Sequence, residues 1–375
     1  PEVPLMKLEG IRVVDLSSFL PGPYLTLALA DHGAEVIKIE APSGDPGRQI
    51  GQRDGEHTVF FRTLNRGKKS VVLDLKSASG QAALHELCRS ADVLVESFRP
   101  GVTKRLGADY ETLAAINPRL VYCSISAFGQ TGPYRDRPAH DLAVEALAGS
   151  VGITGGADGA PVTPAIPAAD MLSALQALSA VLMALYRRST TGRGDYIDIA
   201  MYDATIAAYP NLLGPVFAEK RSLVPRNERT LGGAAFYRIY RTSDGRHVAL
   251  GGQEPKFVRT LLEALGRLDL LPLCERGPGP HQQPVIEFLA SVFAERSMAE
   301  WVEWFRDRDV CFAPVKTVRE AFDDEHARAR GMVLLDEAGR EHLGPVIKFR
   351  DEPACPRLAA PALGADTEEL ARVLK

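Results

Sequence analysis

Leu8-Glu-Gly-Ile-Arg-Val-Val-Asp-Leu16, Ser17-Ser-Phe-Leu-Pro-Gly-Pro-Tyr24 and Ala34-Glu-Val-Ile-Lys-Ile-Glu40 decide the fold. The first piece is a short apolar run and reads as a strand. The second is a turn that leads into a helix expected from Leu25 to His32. The third is rich in β-branched residues and reads as a second strand. Strand, turn, helix and strand within one short stretch make a parallel βαβ unit. The Pro21-Gly-Pro23 turn precedes a helix N-terminus, a place where anions are held. It is not the Gly-rich fingerprint of dinucleotide binding, so a nicotinamide cofactor is not expected.

The same pattern repeats outward. Asn65-Arg-Gly-Lys-Lys-Ser70 is a basic turn into a strand expected over 70–75. A helix over 79–90 follows, then a strand at Val93-Leu-Val-Glu96. After a helix near 109–116, Leu120-Val-Tyr-Cys-Ser-Ile-Ser126 is another buried strand. This alternation predicts a doubly wound α/β domain, whose ligands lie beyond the carboxyl ends of the strands. Lys38, Arg66, Lys68, Lys69, Arg99, Lys104 and Arg105 fall at or just after such ends. Two readings stand for them: a solvated basic surface, or a converging phosphate site.

The chemistry is expected in the run from Arg137-Pro-Ala-His-Asp141 to Pro167-Ala-Ala-Asp-Met171. His140 and Asp170 mark its two ends. The Gly- and Pro-rich stretch between them reads as a surface loop. Asp170 opens the apolar run Met171–Tyr186, which reads as a buried helix rather than a membrane span, being interrupted by Ser173, Gln176 and Ser179. Taken alone, Asp170 is a helix N-cap, and His140 is an ordinary hydrogen-bonded histidine.

Composition narrows the function classes. A net charge of −4 over 375 residues gives no footprint for nucleic acid. The five cysteines are scattered without CxxC spacing, which points to reduced thiols and no metal site. No signal-peptide pattern opens the chain, so a cytoplasmic protein with no membrane partner is expected. In the second half, Phe236–Gly251 reads as a β-hairpin turned at Asp244-Gly245. Two helical stretches follow, 255–265 and 284–308. They mark a small α+β domain. Residues 205–232 carry three prolines and read as a linker.

The chain resembles the class III CoA-transferase family, which also contains alpha-methylacyl-CoA racemases. The segments that carry the likeness run in order along most of the chain. They are Pro21-Gly-Pro23, Asp31-His-Gly-Ala-Glu-Val-Ile-Lys38, Asn65-Arg-Gly-Lys-Lys-Ser70, Phe98-Arg-Pro-Gly-Val102, Gly129-Gln-Thr-Gly-Pro133, Ala139-His-Asp141, Ala168-Ala-Asp170, Gly192-Arg-Gly194, Asp244-Gly245 and Glu254-Pro-Lys-Phe257. The resemblance implies a large Rossmann-like α/β domain from 1–204 and 316–375, a linker at 205–232 and a small α+β domain at 233–315. It also implies an interlocked homodimer. The implied ligand is an acyl-CoA, as substrate, with no tightly bound cofactor. Arg99 and Arg105 match the family's CoA-contacting arginines, and Lys38 stands where an adenine- or phosphate-side contact is expected. Arg66 belongs to the same basic set.

The resemblance gives Asp170 two possible roles. In the transferases this residue is a nucleophile that passes through an acyl anhydride and a CoA thioester. In the racemases it and a histidine face opposite sides of the α-carbon and exchange its proton. His140 and Glu254 match the racemase arrangement, in which the Glu supports the His. Yet Met171-Leu-Ser-Ala174 lacks the Gly-rich continuation of racemases as well as the Thr-Gly step of transferases. Gly232-Gly-Ala-Ala-Phe-Tyr237 lacks the longer glycine run of formate- and oxalate-type transferases. The leading expectation is 2-methylacyl-CoA racemase-like proton transfer, with CoA transfer to a carboxylic acid as the alternative. Acyl-CoA hydrolysis and binding of CoA without chemistry stand outside that pair.

Overall fold

A computed structural model describes residues 6–156 and 159–373. The chain divides into two compact units. One comprises Pro1–Ala148, Pro164–Ala208 and Asp324–Lys375; the other comprises Gly149–Thr163 and Tyr209–Asp323.

The first unit is built on a six-stranded sheet. Its strands are β1 (Arg12–Asp15), β2 (Glu35–Glu40), β3 (Lys69–Val72), β4 (Val93–Glu96), β5 (Val121–Ser126) and β6 (Tyr196–Ala200), in the spatial order β3-β2-β1-β4-β5-β6. Every neighbouring pair is parallel. β4 and β5 are buried throughout, as sheets covered on both faces require. The order reverses between β1 and β4, and that crevice is where such folds take ligands. Val13, Val93, Val95, Val121 and Ile125 form one face of the core, and Val14, Ile37, Leu94 and Tyr122 form the other.

Helix α1 spans Pro21–Asp31, so it starts four residues earlier than expected. Pro-Gly-Pro is its first turn rather than the loop before it, because proline's fixed φ suits the first helical position. Further helices of this unit are α2 (Val59–Asn65), α3 (Ala78–Arg89), α4 (Tyr110–Ile116), α5 (Asp141–Ala148), α6 (Ala168–Thr191) and α7 (Met201–Ile206). α5 corrects the expectation of a loop after His140. Asp-Leu-Ala-Val-Glu-Ala-Leu-Ala is a sound helix former, and the glycines that suggested a loop begin only at Gly149. The expected loop also includes residues 157 and 158, which lie outside the described residues. α6 is long and apolar enough, by length and composition, to cross a membrane. It was expected to be a buried helix but is buried on one side only: Ala169, Ala174, Ala177 and Val181 enter the core, while Met183 and Tyr186 are 69% and 81% exposed.

The tail closes this unit. Asp366 N–H donates to the Ser70 carbonyl (2.9 Å), and the Ser70 N–H donates to Asp366 Oδ2 (2.8 Å). The Val72 N–H donates to Thr367 Oγ1 (3.0 Å). These contacts satisfy β3, a sheet edge that would otherwise present unpaired donors. The tail ends in helix α11 (Thr367–Val373).

In the second unit, β7 (Tyr237–Arg241) and β8 (His247–Gly251) form the expected antiparallel hairpin, with Gly245 at φ 77° in its turn. A third strand, β9 (Phe312–Pro314), pairs with β8 and was not foreseen; three residues are too short to show alternation. The helix expected over 284–308 is two helices, α9 (Gln283–Phe293) and α10 (Met298–Phe305), after α8 (Pro255–Ala264). Ser297 and Glu300 form a capping box that starts a new helix there. Phe293, Trp301 and Phe305 centre the core of this unit. The expected linker is not wholly irregular: α7 ends at Ile206, a tight 3-10 turn covers Pro210–Leu212, and a wider π-helical turn covers Gly214–Ala218.

Candidate active site

The carboxyl ends of the sheet carry two cavities, one on each side of the crevice. The first, of about 450 Å³, is lined by Phe19 after β1, Arg99 after β4, Ala127 after β5, and Arg137, His140 and Asp170. The second, of about 470 Å³, is lined by Ile39, Leu73, Leu75, Phe98, Lys38 and Arg105 among others. Ser18 and Phe98 line both. The structure thus brings His140 and Asp170 to one cavity, although thirty residues separate them in sequence.

Asp170 is not the N-cap that its position suggested. The cap position is Pro167, which offers no side-chain acceptor, and Asp170 is the third residue of α6. Two acids of α5 serve the helix end instead. Asp141 Oδ1 accepts the Asp170 N–H and Glu145 Oε1 accepts the Ala168 N–H, both at 3.0 Å. The Asp170 carboxyl is therefore not consumed in capping. Burial raises its pKa, and the charges of Asp141 and Glu145 raise it further, to about 7. Asp141 is itself raised by burial, and its side chain is hydrogen-bonded to that of Glu145. The backbone N–H groups of Asp141 and Leu142, the first of α5, have no acceptor among the described residues. They form the positive end of a helix beside the cavity.

His140 is exposed. Among the described residues neither of its ring nitrogens has a hydrogen-bond partner. Its ring meets the Phe19 ring nearly at right angles, with centroids 5.6 Å apart. Glu254 lies in the second unit, at the cap position before α8, and lines a cavity there with Arg229, Tyr237 and Gln282.

The basic set divides. Lys38 is buried, with Nζ on Asp45 Oδ2 (2.7 Å) and on the Ser17 carbonyl (2.8 Å). Arg66 is equally buried, holds Asp31 through two nitrogens, donates to the Leu343 carbonyl and lines neither cavity. Lys68 is buried against Asp15. These three cations are committed to the protein. Arg99 and Arg105 are exposed and have no ion-pair partner among the described residues. Sequence reasoning missed Glu145, Glu96 and Phe19. Glu145 had no signal beyond an acid one turn after Asp141. Glu96 ends β4, where its Oε2 accepts the Phe98 N–H (2.8 Å) and burial pushes its pKa up to about 7. It anchors the loop that divides the two cavities.

A parallel sheet in this order, with an acid and an imidazole lining one cavity at its switch point, defines an α/β protein with a candidate active site where such sheets take their ligands. Residues 8–367 match the model of CoA-transferase family III, and the chain belongs to that family. It is 36% identical over 372 residues to the alpha-methylacyl-CoA racemase of Homo sapiens, covering 97% of this chain and 92% of that one. It is 33% identical over 370 residues to the acetyl-CoA:oxalate CoA-transferase of Acetobacter aceti, covering 96% and 94%. The solved structure of a CAIB/BAIF family protein from Brucella suis superposes with a TM-score of 0.85 at 29% identity, covering 99% of this chain and all of that one. The family's members include racemases and CoA-transferases, and this chain is an enzyme of the family.

Proposed function

We propose that the protein moves the α-proton of a 2-methylacyl-CoA from one face of the carbon to the other, using His140 and Asp170. The observation that carries this reading is Asp170 itself: a carboxyl in the same cavity as an imidazole, with its pKa raised to about 7. A group that titrates near neutral pH both takes and returns protons there. One of the pair removes the α-proton, and the electron pair of the C–H bond moves toward the thioester oxygen. The other then protonates the opposite face. The Asp141 and Leu142 N–H groups are suited to stabilise the enolate oxygen between these steps. Glu254 enters as the family's supporting carboxylate.

The coenzyme would lie across the switch point. Ile39, Leu73, Leu75 and Phe98 offer apolar walls to a flat base, and Arg105 and Arg99 offer charges to phosphates. Lys38 lines the second cavity with its charge held by Asp45, whereas Arg66, held by Asp31 and outside both cavities, is left a structural role. The thin pantetheine arm would pass Ser18 and Phe98, which both cavities share. An interlocked homodimer belongs to the same reading and is supported by the exposed apolar side of α6. A 40.6 kDa monomer by light scattering would remove it.

The second reading is CoA transfer to a carboxylic acid through an Asp170 anhydride. It is favoured by the freedom of that carboxyl from capping and by the CoA-transferases among the relatives. One experiment separates the two: an acyl-CoA in deuterated water, with and without a labelled carboxylic acid. Deuterium at the α-carbon without acid supports proton transfer, and it should be lost in His140→Ala. Label entering the thioester supports CoA transfer, which His140→Ala should spare. Neither outcome in the wild-type protein would sink both readings.

A further inference from the structure

Phe19 has a backbone φ of 63°, in the left-handed region, where a bulky side chain is out of place. Both flanks of the residue explain why it stays there. Before it, the Ser17 N–H donates to Asp15 Oδ1 (2.9 Å), the Ser17 carbonyl accepts Lys38 Nζ (2.8 Å), and the Ser18 N–H donates to Ser97 Oγ (3.1 Å). After it, Pro21-Gly22-Pro23 begins α1, and the Tyr24 N–H closes on the Leu20 carbonyl (2.9 Å). Gly22 passes so close to Ser17 that a Cβ there would stand 2.2 Å from the Ser17 side chain. The chain is therefore pinned on both sides of one residue, and Phe19 absorbs the turn. The effect is to hold an aromatic ring at the cavity wall, 39% exposed, with its ring against that of His140. This is the imidazole's one ring contact among the described residues, and no hydrogen bond competes with it. Glycine would make this turn without strain, so the ring, not the turn, is what the position supplies.

We propose that Phe19 is a positioning residue that fixes the ring orientation of His140. An exposed histidine without a hydrogen bond is free to rotate, and a proton transfer needs its reacting nitrogen aimed at one atom. The edge-to-face contact selects one orientation. The left-handed turn is the local cost of placing the ring.

This inference rests on the proton-transfer reading, and its test separates the two. Phe19→Gly relieves the backbone, so the variant should melt at or above the wild-type temperature. Its α-proton exchange should nevertheless fall about tenfold, in kcat more than in KM. Phe19→Leu should lose a similar amount, while Phe19→Tyr should stay within about twofold, because it keeps the ring. A stabilising change that lowers the rate, rescued by the aromatic variant, is not what a purely structural residue gives. Exchange unmoved in Phe19→Gly, or lost equally in all three variants, overturns the proposal. A second measurement needs no turnover. NMR of the His140 ring protons in the free protein should show a ring-current shift that vanishes in Phe19→Gly and Phe19→Leu and persists in Phe19→Tyr. No such shift in the wild type overturns the proposal even if the enzyme proves to be a CoA-transferase.

Discussion

Asp15 and Asp170 are both carboxylates at the rim of one sheet, and their surroundings treat them in opposite ways. Asp15 ends β1 with no exposed surface. Burial pushes its pKa up, but Lys68, Lys38 and the hydroxyls of Ser17 and Thr26 outweigh that and hold it at about 2. Asp170 begins α6, where burial acts in the same direction and its charged neighbours are two more acids, Asp141 and Glu145. Burial alone does not decide whether a carboxylate is a strut or a proton carrier. The sign of the nearest charge does. The partner of Asp15 feels the reverse: burial lowers the pKa of Lys68 to about 8 although Asp15 opposes it.

Breaking the contrast at Asp170 should have the largest effect. Asp170→Asn should lower α-proton exchange or CoA transfer about 10³- to 10⁴-fold, with CoA affinity kept, as measured by rate assays and calorimetry. Activity within tenfold of wild type would remove Asp170 from the chemistry. At the other pole, Asp15→Asn leaves Lys68 a buried charge without its partner. Unfolding in urea should show a loss of about 3–5 kcal/mol.

The two poles also differ in how stability responds to pH. The raised pKa of Asp170 means that the folded protein binds this proton more tightly than the unfolded chain. Its stabilising contribution is complete below the ordinary value of 3.8 and is lost as pH rises through about 7. Asp15 behaves conversely: its contribution is present above 3.8 and is lost as pH falls through about 2. Asp170→Asn should therefore stabilise the fold more at pH 8 than at pH 5, by roughly 1–2 kcal/mol, in thermal melts at the two values. An equal shift at both would contradict the raised pKa. The smallest effect is expected from Thr26→Val, which deletes a 2.6 Å hydrogen bond to Asp15. A loss of about 1–2 kcal/mol, with exchange activity intact, would confirm that this pole is structural.

Much of the sheet was legible because strand and helix periods alternate plainly from Arg12 to Ser126. The pairing of His140 with Asp170 was legible through a family likeness, since nothing local joins residues thirty apart. What stayed hidden was tertiary. No sequence rule says that Lys38 and Arg66 are spent on Asp45 and Asp31 while Arg99 and Arg105 are not. Nor does one say that two acids of α5 would take over the cap of α6 and release Asp170. The left-handed Phe19 was also invisible, because residue type argues against that conformation and only the pinned flanks impose it.

The closing of β3 by residues 364–367 has a consequence for how the protein is made. A ribosome delivers Ser70 and Val72 long before Asp366 and Thr367. Throughout that interval the nascent sheet carries an open border, able to recruit a strand from a neighbouring polypeptide. Expression of this protein should therefore depend on chaperone capacity during translation more than its finished stability would suggest.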